Sequence, residues 1–503
     1  MKRLWYLLGK WCLLTPRGPT RFPVYGAFAE SLARLEWALS RVSYETPSQY
    51  HEDSMISLRL SIMMFIQFFL WGSWYVTAYL YLSRLGFGGE QIGWTYSVGP
   101  IAGMISPFFV GMIADRFFST ERVLGVLHLG GAAAMFGAVQ VMQGTDPSPT
   151  VINLLFFVHM LCYFPTLALT NSLALQTMTN SEKQFPLIRV FGTIGWIAAG
   201  QVVSFYVWDQ EIYIFTMAAV TGVIMGLYSF TLPHTPPPSA GKKVSLREVF
   251  GLDALVMLKN PSFLTFMVAS FLVCIPLAFY YQMAAKYVDA SGFAFPASVM
   301  SYGQMSEIIF MLVMPLFFAR LGVKWMLFVG MLAWVARYGL FAMAADDAVR
   351  WMVLVGIILH GICYDFFFVT GQIYTDKSAP ASIRGQAQGM LVLFTLGLGM
   401  FIGAQVAGGV EAHFTAPNAP QLRADAEVIA TSIKAKIEQE SKATATEKAS
   451  LAEEIIELRK SRSVLLMQAV EWKTVWAIPA AFAAAIMILF ALFFQDKTTP
   501  AVS

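Results

Sequence analysis

Residues 233–261 read PHTPPPSAGKKVSLREVFGLDALVMLKNP, with Pro233, Pro236, Pro237 and Pro238 at the head and Lys242, Lys243 and Arg247 behind them. Proline interrupts a helix, and so long a polar run exceeds a hairpin loop. On both sides the chain consists of apolar segments of roughly 20 residues or more, the length that crosses a bilayer. Six precede the break, at 58–84, 91–114, 122–143, 151–178, 186–207 and 212–232. Six follow it, at 262–287, 297–319, 324–344, 351–375, 384–410 and 473–494. Numbered in chain order, these are spans 1–12. The break reads as a linker between two sets of six, carrying a short amphipathic helix around Leu246–Leu258.

Composition agrees with a membrane protein. Of 503 residues, 57% are hydrophobic and 13% charged, where a soluble domain carries about 25% charged residues. A formal net charge of +3 without a basic cluster gives no reason to expect a nucleic-acid partner. Cys12, Cys162, Cys274 and Cys363 are scattered without CxxC spacing, so neither a disulfide framework nor a metal site is expected. No cofactor is expected, and the absence of GxSxG, HExxH or a suitably spaced aspartate pair argues against an enzyme. The N-terminal stretch lacks the cleavage site of a signal peptide; an alternative start is Met55, just before the first span.

Positive charge sets the orientation. Arg116, Arg122, Lys183, Lys242, Lys243, Arg247, Lys259, Arg320, Lys324, Lys377 and Arg384 lie at one side, against Arg84, Lys286 and Arg350 at the other. The linker and both termini are therefore expected in the cytoplasm, in a multi-pass protein of the cell inner membrane. The expected parts are a cytoplasmic extension (1–56), a six-helix bundle (57–233), the linker (234–261), spans 7–11 (262–410), an insertion (411–471), span 12 (472–496) and a cytoplasmic tail (497–503). From Ala424 the insertion is rich in Ala, Glu, Lys, Ile and Leu, which predicts an extracytoplasmic helical hairpin turning near Ala443–Thr446. Its two readings are a variable insertion without transport chemistry and an arm for a partner protein.

An all-α chain of two pseudo-symmetric six-helix bundles has the layout of the major facilitator fold, whose substrate site lies between the halves near mid-membrane. Gly111-Met-Ile-Ala-Asp115-Arg116, followed by Arg122, resembles a motif of that superfamily after span 2, where a charge network clamps helix ends.

Ionisable groups inside spans cost about 2.5–3.5 kcal/mol each on insertion scales, so each needs a reason. Those present are Arg189, Glu307, Arg337, His360 and Asp365, with Gln67, Asn171, Gln304 and Gln372 as uncharged candidates. At about 100° per residue, Arg189, Thr193 and Trp196 share a face of span 5, Gln304 lies near Glu307 on span 8, and His360 shares a face with Tyr364 beside Asp365 on span 10. Rings that stack and amides that hydrogen-bond suit a flat, polar, uncharged ligand. A nucleobase on a ribose fits; a sugar fits less closely. Glu307 and Asp365 lie deep enough to carry a proton across. The structural alternative pairs Glu307 with Arg337, and Arg189 could instead snorkel to water.

Beyond these features, the chain resembles the nucleoside:proton symporters of the major facilitator superfamily over about 55–410 and 472–495. The matching strings include Gln67-Phe-Phe-Leu-Trp71-Gly72-Ser73-Trp74, Phe164-Pro165-Thr166-Leu167 and Phe185-Pro186-Leu-Ile-Arg189-Val-Phe-Gly192-Thr193. Others are Thr231-Leu-Pro-His234, Leu252-Asp253-Ala254, Gln304-Met-Ser306-Glu307, Tyr364-Asp365-Phe366-Phe367 and Arg384-Gly-Gln-Ala-Gln388-Gly389-Met390. The resemblance implies proton-coupled nucleoside uptake; a monomer in a lipid bilayer is expected. It places Arg189, Thr193, Trp196, Gln304, Glu307, His360, Tyr364 and Asp365 at the ligand site, with Glu307 and Asp365 coupling protons. Asp365 would accept from ribose hydroxyls, Gln304 and Arg189 would address the base, and Trp196 or Tyr364 would stack on it. Two positions depart: Tyr281 or Gln282 stands in for an amide pair on span 7, and His360 replaces a tyrosine. The remaining readings are a transporter of another polar solute, such as a sugar, and a non-transporting sensor or assembly protein that uses the hairpin.

Overall fold

A computed structural model describes residues 47–178, 181–236, 252–380 and 383–495, without the side chains of 47–54, 107–116, 181–183, 186, 445 and 446. The described residues from Met55 onward form one compact unit. The N-terminal extension up to residue 46, most of the linker (237–251) and the tail from 496 fall outside the described residues.

Among the described residues, nine helices are long and apolar enough to cross a membrane. One of them, Pro296–Ala344, is two spans joined end to end through Gly322, whose φ of 65° and ψ of −179° are not helical. Only glycine adopts that backbone without strain, so spans 8 and 9 meet at a sharp corner where two helices with a loop were expected. Counting that helix twice, and adding Gly89–Arg116 (span 2) and the shorter Tyr213–Ser229 (span 6), gives twelve spans, six on each side of the linker.

Span 1 is also less regular than its composition suggests. It runs as Pro47–Gly72 and resumes as Ala78–Arg84. At the break the Ser73 hydroxyl and the Ser73 N–H both donate to Phe69 O (2.7 and 2.9 Å). Spans 3, 4 and 5 are Thr120–Met142, Pro149–Thr177 and Ser181–Phe205. The described end of the linker is a 3-10 helix, Leu252–Lys259; residues 246–251 of the expected short amphipathic helix lie outside the described residues. Span 7, Pro261–Ala290, starts with proline in its first turn and the Asn260 side chain accepting from the Ser262 and Phe263 N–H groups.

Spans 10 and 11 each contain a wide π turn. Span 10 runs through Arg350–Ile358 and His360–Cys363, widens over Tyr364–Val369 and ends as Thr370–Ser378. Span 11 runs as Arg384–Val392, Leu393–Gly399 and Met400–His413. Span 12 is Trp472–Phe493.

The two halves repeat one packing scheme. Span 3 packs on spans 4 and 6, and span 9 packs on spans 10 and 12. Between halves, span 2 lies against span 11 and span 5 against span 8, pairs that exchange under a two-fold relation. At the contact of spans 2 and 11 the backbones touch. A Cβ on Gly89 would fall 2.5 Å from Gly408 O, and one on Gly93 would fall 3.0 Å from Ala404 O.

The insertion is a helical hairpin, Ala419–Lys442 and Ala445–Gln468, packed helix on helix. Its first helix begins five residues before the expected Ala424, with proline in its first turn. At the tip, Thr444 and Glu447 form a reciprocal capping box. At the root, Thr415 and Val470 form an isolated antiparallel bridge.

The described polar contacts between the halves cluster on the side of the hairpin. Gln201 Nε2 donates to Ser301 Oγ (2.7 Å), Gln405 Nε2 to Ser97 Oγ (2.8 Å), and the Ala297 N–H to Asp209 Oδ1 (2.7 Å). Each lies in the half of its span, or the adjoining loop, nearer the hairpin. The halves are thus closed there.

Candidate functional site

Span 10 is laid on span 8 by two glycines. Gly303 faces His360 Cβ, and a Cβ on Gly361 would come within 2.6 Å of Glu307 N and Ser306 C. The Gly361 N–H donates to Ser306 Oγ (3.0 Å) and locks the register. This close approach sets Gln304 and Glu307 of span 8 beside His360, Tyr364 and Asp365 of span 10. The π turn begins at Tyr364, where the helix leaves its usual register, a device frequent at functional sites. The His360 and Tyr364 rings stay together, 6.0 Å between centroids.

Asp365 is fully buried, and neither of its oxygens has a hydrogen-bond partner among the described residues. The same holds for Gln304 Oε1 and His360 Nδ1. Buried polar atoms are paired as a rule, so a cluster of such atoms on two facing helices calls for an explanation.

Span 7 supplies a ring wall. Tyr280 lies parallel to His360 (5.2 Å, 16°), and Tyr281 stands edge-on to it (6.4 Å, 86°). Tyr281 also reaches Tyr75 of span 1, 5.9 Å away, and so joins the halves. Of the two span-7 alternatives, Tyr281 is the one facing this niche. Gln282 is fully buried, and its amide makes no hydrogen bond with the described residues.

The other half contributes Arg189. Its guanidinium lies 4.2 Å from the Phe68 ring centroid, on span 5, which packs against span 8. Thr193 and Trp196 follow on span 5, both half-buried. Trp196 stands edge-on to Trp71 at 5.2 Å. The structure therefore brings Gln304, Glu307, His360, Tyr364 and Asp365 together, with Arg189, Thr193 and Trp196 on span 5, which packs against span 8.

Several candidates lie elsewhere. Arg337 makes no ion pair with Glu307. Its guanidinium stacks over Tyr280 (4.1 Å), and its Nε donates to Gly356 O (3.1 Å). It sits behind the ring wall because span 9 packs on the back of span 10. Gln67 is sealed inside the first half, donating to Thr166 Oγ1 (2.7 Å) and bonded to His128 Nε2 (2.8 Å). Arg122 is exposed at the start of span 3. Asp115 and Arg116 end the helix of span 2, and their side chains lie outside the described residues. Sequence reasoning missed Tyr75 and Tyr280. The only signal for them was their neighbourhood, next to the Gln67–Trp74 string and to Tyr281.

Comparison with known proteins agrees with this arrangement. The sequence model of the family described as "Nucleoside H+ symporter" matches residues 54–430. The chain is 41% identical over 359 residues to the putative nucleoside transporter YegT of Escherichia coli, covering 70% of this chain and 83% of that protein. It is 31% identical over 376 residues to the xanthosine permease of Escherichia coli, covering 72% and 89%. Its fold is similar to the crystal structure of the nucleoside transporter NupG, with a TM-score of 0.70 at 27% identity, over 88% of this chain and all of that one. The chain belongs to the nucleoside:H+ symporter family, as a multi-pass membrane transporter of the major facilitator fold.

Proposed function

We propose that this chain performs proton-coupled nucleoside uptake by alternating access, through the niche between spans 5, 8 and 10. The observation that carries this reading is the set of buried, unsatisfied polar atoms on Gln304, His360 and Asp365 beside a wall of tyrosines. Ribose hydroxyls would donate to the Asp365 carboxylate, and base N–H groups to Gln304 Oε1. Arg189 would address the base from the other half, and Trp196 or Tyr364 would stack on it. Thr193 completes the face of span 5. Family membership favours this cargo over a sugar, and a transporter over a sensor.

The linker and termini lie in the cytoplasm and the hairpin outside, in the cell inner membrane, as the distribution of Lys and Arg supports. Closure on the hairpin side then makes this the inward-facing state, and the chain works as a monomer. A proton from outside neutralises Glu307 or Asp365 before the halves rock, because an ionised, unpaired carboxylate is costly to enclose. Deprotonation on the inside releases the nucleoside. Asp115, Arg116 and Arg122 act at the cytoplasmic helix ends.

The test is uptake of labelled uridine or adenosine in cells lacking their own carriers. A potential of about 100 mV is worth about 2.3 kcal/mol per charge, enough for roughly 50-fold accumulation. A protonophore and Asp365→Asn should each reduce accumulation to the passive level. Wild-type accumulation by Asp365→Asn removes that carboxylate from the mechanism.

A further inference from the structure

The hairpin is joined covalently to the second half, between spans 11 and 12, yet its side chains hold both halves. Toward the second half, Arg462 grips Asp289 at the end of span 7 with two parallel bonds, Nη1–Oδ1 2.9 Å and Nη2–Oδ2 2.8 Å. Ser463 Oγ donates to Ala290 O beside it. Toward the first half, Glu427 pairs with Arg84 at the end of span 1, and Lys434 pairs with Glu211 in the loop between spans 5 and 6. Arg84 also donates to Gln210 O (2.8 Å), which ties span 1 to that loop. Arg462 spans the seam itself, since its Nη2 lies 3.4 Å from Gln210 Oε1 while it holds Asp289.

These contacts lie over the seam that must part if this side is to open. Beneath them Tyr79 of span 1 donates to Glu411 of span 11, and Lys286 of span 7 bonds to both. Glu411 is 1% exposed. The hairpin therefore caps a buried polar contact between the halves and is itself charge-paired across it.

We propose that the hairpin is a latch: it holds the hairpin-side gate shut through Glu427–Arg84 and Lys434–Glu211, and so biases the transporter toward the state closed on that side. Each time this side opens, the two pairs break while the root of the hairpin, held by Arg462 and Ser463, stays on the second half. The inference rests on the alternating-access reading but not on the cargo.

The experiment compares the full-length protein with Glu427→Ala/Lys434→Ala in amide hydrogen exchange, followed by mass spectrometry in detergent without substrate. Both residues are substantially exposed and lie outside the niche. Exposed pairs contribute little each, so loss of both should open the gate roughly threefold to tenfold more often. Exchange should rise by that factor in peptides covering Gly89–Ser97 and Ala404–Glu411, and stay unchanged in spans 3 and 6. Glu427→Asp with Lys434→Arg, which keeps both charge pairs, should leave exchange at the wild-type level. Unchanged exchange at the gate overturns the proposal, and so does a general rise that includes spans 3 and 6. Because no substrate is present, this outcome is independent of any nucleoside assay.

Discussion

Gly361→Ala is the smallest change that should separate the two helices carrying the niche. An added Cβ would stand 2.6 Å from Glu307 N and Ser306 C and 2.7 Å from Ser306 O. Ordinary contact begins at 3.4 Å, so the new atom falls 0.8 Å short. The atoms it meets are backbone and cannot rotate away, so span 10 must move off span 8 by about that amount. The move also stretches the 3.0 Å bond from the Gly361 N–H to Ser306 Oγ. Overpacking of this kind costs about 1–3 kcal/mol. The functional loss should be larger, because a displacement near 1 Å between positioned groups can cost about 100-fold. Nucleoside uptake should fall by about that factor, with nucleoside-induced thermal stabilisation weakened in parallel. Gly339→Ala is the matched control: nothing lies within 4 Å of its added Cβ. There alanine should be neutral or stabilising, since it favours a helix over glycine by about 1 kcal/mol. Uptake within twofold of wild type for Gly361→Ala would show that the register of spans 8 and 10 does not position the site.

Asp209, in the loop after span 5, offers a pH test of the gate. Burial pushes its carboxyl up to about 6 from an ordinary 3.8, although the Ala297 N–H and the Ser204 hydroxyl favour its charged form and the nearby Asp289 opposes it. If opening returns it to water, protonation favours closure. The acid-side gain is full below 3.8 and is lost as pH rises through about 6. Hydrogen exchange at the gate should slow as pH is lowered across that window, after correction for intrinsic rates, and Asp209→Asn should flatten the dependence. The same slope in both proteins would assign it to another group. Arg337→Lys should lower thermal stability by about 2 kcal/mol, because a point charge cannot both stack on Tyr280 and bond Gly356 O as the planar fork does. An unchanged melting temperature would mean that neither contact matters to the fold.

The twelve spans were legible because bilayer thickness imposes a length that apolar composition shows directly. The backbone departures were not legible in the same way. The corner at Gly322 looks in sequence like one more glycine between two spans, and the break after Gly72 falls inside an apolar run that reads as one continuous helix. The polar half of the niche stood out because Arg189, Glu307, His360 and Asp365 are conspicuous in apolar helices. The rings did not stand out: a tyrosine facing a cleft and one facing lipid read alike. Tyr280 and Tyr281 are neighbours in sequence, and the structure uses both around one histidine.

The hairpin carries the point furthest. In sequence, Arg462 is one more cation in a Glu- and Lys-rich helix, and its spacing predicts only a solvated face. Its partners are Asp289 and Gln210, 173 and 252 residues away. No local pattern encodes such a contact, because it exists only when two helical bundles and an insertion converge at one seam. A surface charge with exposed neighbours would contribute little. Arg462 differs in being mostly buried and held in a two-bond fork, the geometry in which an arginine fixes position as well as charge. A residue that sequence reading assigns to the surface thus becomes the anchor from which a gate can be held.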